Sequence, residues 1–351
     1  MRRARRTATV TELVYQPDQL PWDAPGKRHY DVAFPLDSSW GYSLVPVTVI
    51  NGTMKAGSKT TTPGVAVFGG THGNEWEGQI AAKRLCRDLD PDQIRGRVIL
   101  VPQLSASACS ANTRLSPLDN VNMNRAFPGN PRGSVSYRIA HFVKSTVFPQ
   151  VRIVVDLHSG GMEGGFALCA SIHRVPNAAQ YEEMVLAAKL FQTPFVFVYS
   201  SDMASGLLTD EAERDAKIAI GGEFGFGESV NRRGVRHAYE GVKNLLRHYG
   251  HLSEPVQQID ASRTTEPQLV SAAELDAYIP APYDGIWEPA IDLGDRVSES
   301  SVIGYLHDFS DYTNGPHEIR ARRPGVVIMM HGPARCARGV TLYVVAREGL
   351  E

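Results

Sequence analysis

The sequence predicts an α/β fold: a largely parallel or mixed sheet flanked by helices, followed by a small all-β domain at the C-terminal end. Three observations carry this. Short buried apolar runs alternate with amphipathic stretches as far as residue 250. The texture then turns polar and proline-bearing in "SEPVQQIDASRTTEPQ". Beyond it come only short strand-like pieces separated by turns. Alternating strand and helix favours an α/β sheet, and closely spaced strands without helices favour an all-β unit. The expected boundaries are 1–255 for the first domain, 256–270 for a linker and 271–351 for the second domain. A chain of 351 residues, 42% hydrophobic and 21% charged, is long enough for that pair.

The elements follow in order. "GYSLVPVTVI" (41–50) is β-branched and apolar with a turn after it, hence a strand. "GVAVFGG" (64–70) is a short apolar run of the kind a buried parallel strand gives. "EGQIAAKRLCRDL" (77–89) places Ile80, Ala81, Leu85 and Leu89 at helical spacing. "GRVILVPQL" (96–104) is a second buried strand, and "VSYRIAHFVKSTVFP" (135–149) an amphipathic helix ending at Pro149. "VRIVVDLHSGG" (151–161) is a strand running into a glycine loop. A helix over 179–192, a strand over 195–200, a strand and loop over 217–227 and a helix over 232–250 with a glycine stop complete the first domain. The tail pieces are "YDGIWEPAI", "DRVSESSVIGYLHDF", "GVVIMMHG" and "VTLYVVARE".

Bulk properties exclude several classes. A formal net charge of −2 gives no reason to expect nucleic acid or an anionic membrane as partner. No apolar run approaches the roughly 20 residues that span a bilayer. The arginine-rich start "MRRARRTATVTELVYQ" is not followed by the apolar segment of a secretory signal. Cys86, Cys109, Cys169 and Cys336 are scattered and form no CxxC pair, as expected of free thiols in a reducing compartment, the cytoplasm.

Three apolar strands end in polar clusters: "GGTHGNE", "DLHSGG" and "GGEFG". In open α/β sheets, sites assemble from loops at the carboxyl ends of adjacent strands. His72, Glu75, His158 and Glu223 would then share one crevice. Two histidines and one glutamate are a known catalytic zinc set, with a further position left for water. His72 and Glu75 lie at i, i+3, and share a face if residues 72–75 enter the helix that follows. His158 is the expected third ligand, Asp156 a carboxylate that orients a ligand, and Glu223 the base for the attacking water. Taken singly, each has an ordinary reading: a chance HxxE, a packing histidine, a solvated loop carboxylate. Three strand ends that each set a glycine beside a charged group weigh against that. The loop "TRLSPLDNVNMNRAFPG" (113–129) adds Arg114, Asn122, Asn124 and Arg125. An arginine fork suits a carboxylate, or the oxyanion of a tetrahedral intermediate. Glu77 is expected in the first turn of the helix, where negative charge is favourable. Glu163 is expected as a solvent-facing loop residue, with a cationic group as its other possible partner.

"GGTHGNEWEG", "NMNRAFPG", "DLHSGG" and "GGEFG", in this order, resemble the succinylglutamate desuccinylase/aspartoacylase family, a branch of the zinc-carboxypeptidase-like hydrolases. The resemblance spans essentially the whole chain. It implies a zinc-carboxypeptidase-like mixed sheet with a barrel-sandwich-like C-terminal domain. It also implies one Zn2+ per chain held by His72, Glu75 and His158, with Glu223 as general acid/base. By the same carry-over Arg114 polarises the scissile carbonyl, and Asn124 and Arg125 grip the substrate carboxylate. The implied activity is removal of an acyl group, acetyl or similar, from a small N-acyl amino acid. "SWGYSLVPVTVINGT", "TRLSPLD" and "RRGVRHAYEGVKNLLRHYG" resemble the branch acting on N-acetyl-2,4-diaminobutyrate. A homodimer or higher oligomer is implied as well. One departure stands out: Asn122 precedes "MNR" where aspartoacylases commonly carry aspartate, which bears on how that loop is braced.

Competing readings are a zinc peptidase, a deacylase of succinyl or aromatic-acyl amino acids, and a binding protein that kept the fold. A serine hydrolase lacks its GxSxG elbow, and "HEIRA" (317–321) has Ala321 where HExxH needs histidine. The tail resembles a biotinyl/lipoyl-type sandwich, but no lysine follows Lys243 to carry such a cofactor. The tail is therefore expected to shape the site.

Overall fold

A computed structural model describes residues 11–54, 62–200, 205–227, 229–261 and 265–349. The first ten residues, and residues 262–264 of the expected linker, lie outside the described residues. The strands of the first part are β1 (Thr11–Val14), β2 (Gly26–Pro35), β3 (Tyr42–Asn51), β4 (Val65–Gly69), β5 (Arg97–Val101), β6 (Ile153–His158), β7 (Gly164–Phe166), β8 (Cys169–His173), β9 (Phe195–Tyr199) and β10 (Ile218–Glu223). After them come β11 (Gln268–Ala272), β12 (Tyr278–Pro280), β13 (Gly285–Pro289), β14 (Arg296–Val297), β15 (Val302–His307), β16 (His317–Arg320), β17 (Gly325–His331), β18 (Arg335–Cys336) and β19 (Thr341–Glu348). The helices are α1 (Trp76–Asp88), α2 (Ala106–Ala111), α3 (Val135–Phe142), α4 (Ala178–Lys189), α5 (Leu208–Arg214) and α6 (Arg232–His248).

The main sheet runs β1-β2-β3-β5-β4-β6-β10-β8-β9-β11-β19-β17-β14. It is mixed: β5, β4, β6 and β10 are parallel neighbours, whereas β8 is antiparallel to β10. Side chains alternate across it. Val65, Val67, Val155, Leu157, Ile218 and Ile220 pack with Leu85 of α1, Met184 of α4 and Leu245 of α6. Ala66, Phe68, Val154 and Ala219 face the other way, onto Ile139 of α3 and Leu208 and Ala212 of α5. Full burial on both faces is why these strands read as continuous apolar runs. A separate antiparallel sheet, β16-β15-β13-β18, lies in the C-terminal part.

The expected helix over 135–149 is α3 followed by a wider π turn, Val143–Val147, and a 3-10 turn, Phe148–Gln150. Several elements went unread. β2 pairs along its whole length with β3, and β8 and α5 fill the segment between β7 and β10. β11, which begins inside the 256–270 stretch, pairs parallel to β9 and antiparallel to β19. The first part's sheet therefore continues without a break into the C-terminal part. β7, from the loop after β6, pairs with β17 and makes a second tie. Among the described residues no helix is long and apolar enough to cross a membrane.

For the site, the important feature is that β4, β6 and β10 are adjacent and parallel, so their carboxyl ends open side by side. α1 follows β4 and lies in backbone contact with β6: a Cβ on Gly78 would come 2.3 Å from the carbonyl oxygen of Leu157. Overpacking of this kind costs about 1–3 kcal/mol. Gly78→Ala should lower the melting temperature accordingly, while Gly315→Ala, with nothing within 4 Å of the added carbon, should leave it unchanged. Equal melting temperatures for the two variants would show that α1 can retreat from the sheet at no cost.

Candidate metal centre

Gly70 ends β4 in the left-handed region, at φ +66°, which a side chain rarely adopts. The next turn carries His72, and Gly73 lets it press on α2. A Cβ there would lie 2.0 Å from the carbonyl of Ala108, so the requirement at Gly73 is close approach. Residues 72–75 do not enter the helix. α1 begins at Trp76, and Glu75 is its extended N-cap residue with a side chain that makes no capping bond. The pair meets through the turn, because the Glu75 carboxylate is drawn to partners on β6 and the 113–129 loop. Gln79 braces the turn, donating to the carbonyl oxygens of Gly73 at 3.0 Å and Glu75 at 2.8 Å.

Glu75 is the hub. Its Oε1 lies 2.7 Å from His72 Nδ1 and accepts from Arg114 Nη1 at 3.1 Å. Its Oε2 lies 2.9 Å from His158 Nδ1 and accepts from the backbone N–H of Ser159 at 3.1 Å. The three side chains are buried, and their candidate ligand atoms all lie within 4.8 Å of one another. Burial works to raise the Glu75 carboxyl, yet the two imidazoles and their hydrogen bonds hold it well below the usual carboxylate range.

Each histidine is oriented from behind. His158 Nε2 lies 2.6 Å from Asp156 Oδ2, and Thr71 Oγ donates to Asp156 Oδ1 at 2.7 Å. Burial works to lower His158, but Asp156 and Glu75 hold it well above an ordinary imidazole. His72 Nε2 lies 3.0 Å from Asn122 Oδ1, which also accepts from the backbone N–H of Asn124 at 2.9 Å. Asn122 thus braces its own loop, the point its departure from aspartate raised, and also reaches His72, which the sequence did not reveal. Fixing the far nitrogen of a ligand histidine in this way sets its tautomer and direction.

Glu223 ends β10, paired in register with His158 on β6 and Cys169 on β8. Its Oε2 is buried without a hydrogen-bond partner among the described residues. Burial first, then the charge of Glu75, pushes its carboxyl up to about 8. A buried cluster of two imidazoles and a carboxylate, faced by a carboxyl oxygen with no donor of its own, is a donor set that suits a divalent cation.

The cluster opens into a cavity of about 290 Å³. Arg114, Arg125, Glu163 and Tyr199 line it, as do Tyr278, Met329, Thr341 and Val344 from the C-terminal part. Arg125 Nη1 donates to the carbonyl oxygen of Asn124 at 2.7 Å. Asn124 itself is buried: its Oδ1 accepts from the backbone N–H of Leu208 at 3.0 Å and its Nδ2 lies 3.3 Å from His158 Nε2. Glu163 Oε2 lies 3.9 Å from Arg114 Nη1 at the rim of the cavity. The seven residues expected to bind metal or substrate or to act on it, His72, Glu75, His158, Glu223, Arg114, Asn124 and Arg125, line this one cavity, and Asp156 and Asn122 stand behind it.

Comparison with known proteins agrees with the motif resemblance. Residues 61–249 match the family model of the succinylglutamate desuccinylase/aspartoacylase catalytic domain. The chain is 33% identical over 331 residues, 93% of each protein, to N-alpha-acetyl-L-2,4-diaminobutyric acid deacetylase of Halomonas elongata. Among solved structures, it is similar to a succinylglutamate desuccinylase/aspartoacylase from Rhodobacter sphaeroides, with TM-score 0.86 and 32% identity over 94% of this chain and 98% of that one. It is also similar to the product-bound ectoine utilization protein EutE (DoeB) from Ruegeria pomeroyi, with TM-score 0.84 and 30% identity over 94% and 98% of the two chains.

The Glu223 carboxyl gives a pH-dependent signature. Its pKa rises from the ordinary 4.5 to about 8 on folding. A carboxyl raised by folding contributes stability that is complete below the unfolded value and is lost as pH climbs through the folded one. In chelator-stripped protein, the neutral variant Glu223→Gln should therefore gain melting temperature over wild type, and gain more at pH 9 than at pH 5.5. A difference independent of pH across that range would show that Glu223 titrates as an ordinary carboxylate.

Proposed function

This chain belongs to the succinylglutamate desuccinylase/aspartoacylase family, and on that premise we propose that it is a zinc-dependent amidohydrolase that removes the acetyl group from Nα-acetyl-2,4-diaminobutyrate or a close analogue. The observation that carries the reading is the buried His72–Glu75–His158 cluster facing Glu223 in a cavity that also presents two arginines. One zinc per chain, held by those three side chains, would supply a Lewis acid for the amide carbonyl and lower the pKa of water at the site.

The chain's own residues do the rest. Arg125 binds the substrate α-carboxylate with its planar fork, beside Asn124. Arg114 directs its guanidinium at the amide oxygen and stabilises the charge that gathers there during attack. Glu223 takes a proton from the attacking water and returns it to the departing nitrogen, so that the C–N bond breaks to give acetate and a free amine. Its raised pKa suits both halves of that task. Among the described residues, Glu163 is the acid that lines the cavity apart from Glu75 and Glu223. It meets the ammonium of a diamino acid side chain. Tyr278, Met329, Thr341 and Val344 wall the cavity from the C-terminal part, which favours small acyl amino acids over peptides. The four cysteines are unpaired, in keeping with a cytoplasmic enzyme.

Zinc-loaded protein offered N-acetyl, N-succinyl and N-aromatic-acyl amino acids should release amine fastest from Nα-acetyl-2,4-diaminobutyrate, and far more slowly from acetylated peptides. Preference for a succinyl or aromatic-acyl substrate would reassign the acyl pocket. Glu223→Gln should keep its zinc and lose about 10²-fold or more in turnover, whereas His158→Ala should lose the metal itself. A fully active Glu223→Gln, or a His158→Ala with full zinc content, removes that residue from its role.

Glu163→Gln should raise KM for the diamino substrate about tenfold and leave Nα-acetyl-2-aminobutyrate, which lacks the ammonium, unaffected. Equal effects on both substrates would place Glu163 in the service of Arg114 instead.

A further inference from the structure

Glu77 takes no part in the chemistry assigned above; it stands in the first turn of α1, as expected, but its side chain is buried there. Its side chain is as buried as that of Glu75, each residue being 2% exposed. Both oxygens are engaged by other elements. Oε2 accepts from Ser159 Oγ at 2.6 Å, and Oε1 accepts from the backbone N–H of Asn231 at 2.7 Å. Ser159 follows His158, and its own N–H donates to Glu75 Oε2 at 3.1 Å. Asn231 caps α6, accepting from the N–H groups of Arg233 and Gly234.

The loops that leave β6 and β10 are also zipped to each other. Phe224 N–H donates to the His158 carbonyl at 3.0 Å, Gly160 N–H to Gly225 at 2.8 Å, and Gly227 N–H to Gly161 at 2.6 Å. Glu77 lies directly against this zipper, since a Cβ on Gly225 would fall 2.0 Å from its Oε1. A desolvated carboxylate is tolerated only where donors satisfy it. Here the two donors come from the segments that follow His158 and Glu223.

We propose that Glu77 is a positioning residue, a clip from α1 that fixes the β6 and β10 loops, and with them His158 and Glu223, relative to Glu75. It acts through Ser159 and the strand-end zipper and touches neither substrate nor metal. Partners of this kind typically tune metal affinity or activity by about 10- to 100-fold. The role rests on the proposed function only where turnover is measured; zinc affinity reads it independently.

The test compares wild type, Glu77→Gln, Glu77→Ala and Ser159→Ala by chelator-competed zinc affinity, by melting temperature, and by kcat and KM per bound zinc. Glu77→Ala should weaken zinc binding by at least about tenfold and lower kcat by a similar factor, with KM for the acetylated substrate within about twofold of wild type. Glu77→Gln can still accept from Asn231 with its amide oxygen and donate to Ser159 Oγ, so it should restore most of both. Ser159→Ala removes one of the two bonds and should fall between them. Its effect should not add to that of Glu77→Ala, because the two act as one unit. Should Glu77→Ala fail to fold, Ser159→Ala and Glu77→Gln carry the comparison. A folded Ser159→Ala or Glu77→Ala with wild-type zinc affinity and wild-type kcat per zinc, whatever its melting temperature, overturns the assignment and leaves Glu77 a packing residue. If the wild type hydrolyses no N-acyl amino acid, the functional reading fails, and the zinc affinities alone still decide the role of Glu77.

Discussion

Everything at this site depends on keeping one carboxylate charged in the interior. Glu75 is almost fully buried, and an isolated carboxylate there would protonate or cost several kcal/mol. It stays ionised because two imidazoles, a guanidinium and a backbone N–H converge on its two oxygens. Those partners come from three places in the sequence: His72 on its own turn, Arg114, and the adjacent pair His158 and Ser159. Satisfying Glu75 therefore forces the turn after β4, the 113–129 loop and the end of β6 to a common point. That common point is the site.

Sheet topology supplies the rest. Parallel strands in register deliver their carboxyl ends at the same level, so His158 and Glu223 stand opposite each other by backbone pairing alone. That proximity has an electrostatic consequence. One buried carboxylate is ionised by its cations, and its charge, added to desolvation, keeps the second one protonated to higher pH. The pKa values of two neighbouring glutamates are thus pushed in opposite directions, which suits a proposed metal ligand beside a proposed proton carrier. Burial does most to raise Glu223, and the charge of Glu75 adds to it.

What the sequence disclosed and what it hid divide along physical lines. The core strands were legible because a strand buried on both faces has to be apolar throughout. The site was legible because polar residues at the ends of such strands are costly unless used, so "GGTHGNE", "DLHSGG" and "GGEFG" stood out against their runs. β2 was hidden because it is half-solvated, with Lys27, Arg28 and Asp31 interrupting the pattern, and β8 because "CASIH" is short and mixed. The helical placement of His72 and Glu75 failed for a reason of energy. i, i+3 spacing describes a helix only when no stronger partner pulls the pair out of it, and here His158 and Arg114 do. Asn122 and Glu77 were hidden in a different way. Each looks like an ordinary loop or first-turn residue, and its role lies in partners 50 and 82 residues distant.

The C-terminal part also gains a physical meaning that its composition did not show. Because β11 joins β9 on one side and β19 on the other, and β7 joins β17, the main sheet has no free edge between the two parts. The wall formed by Tyr278, Met329, Thr341 and Val344 is therefore fixed to the floor formed by β6 and β10 through continuous backbone hydrogen bonds. A cavity built across a hinge would change volume with each movement of its halves. In one built on a continuous sheet, wall and floor are held together by strand pairing, and discrimination among small acyl amino acids is sought in the side chains at the wall and rim. On that view, changes of substrate within this fold should be sought at Glu163 and at the β17 and β19 side chains before the strand ends that carry the chemistry.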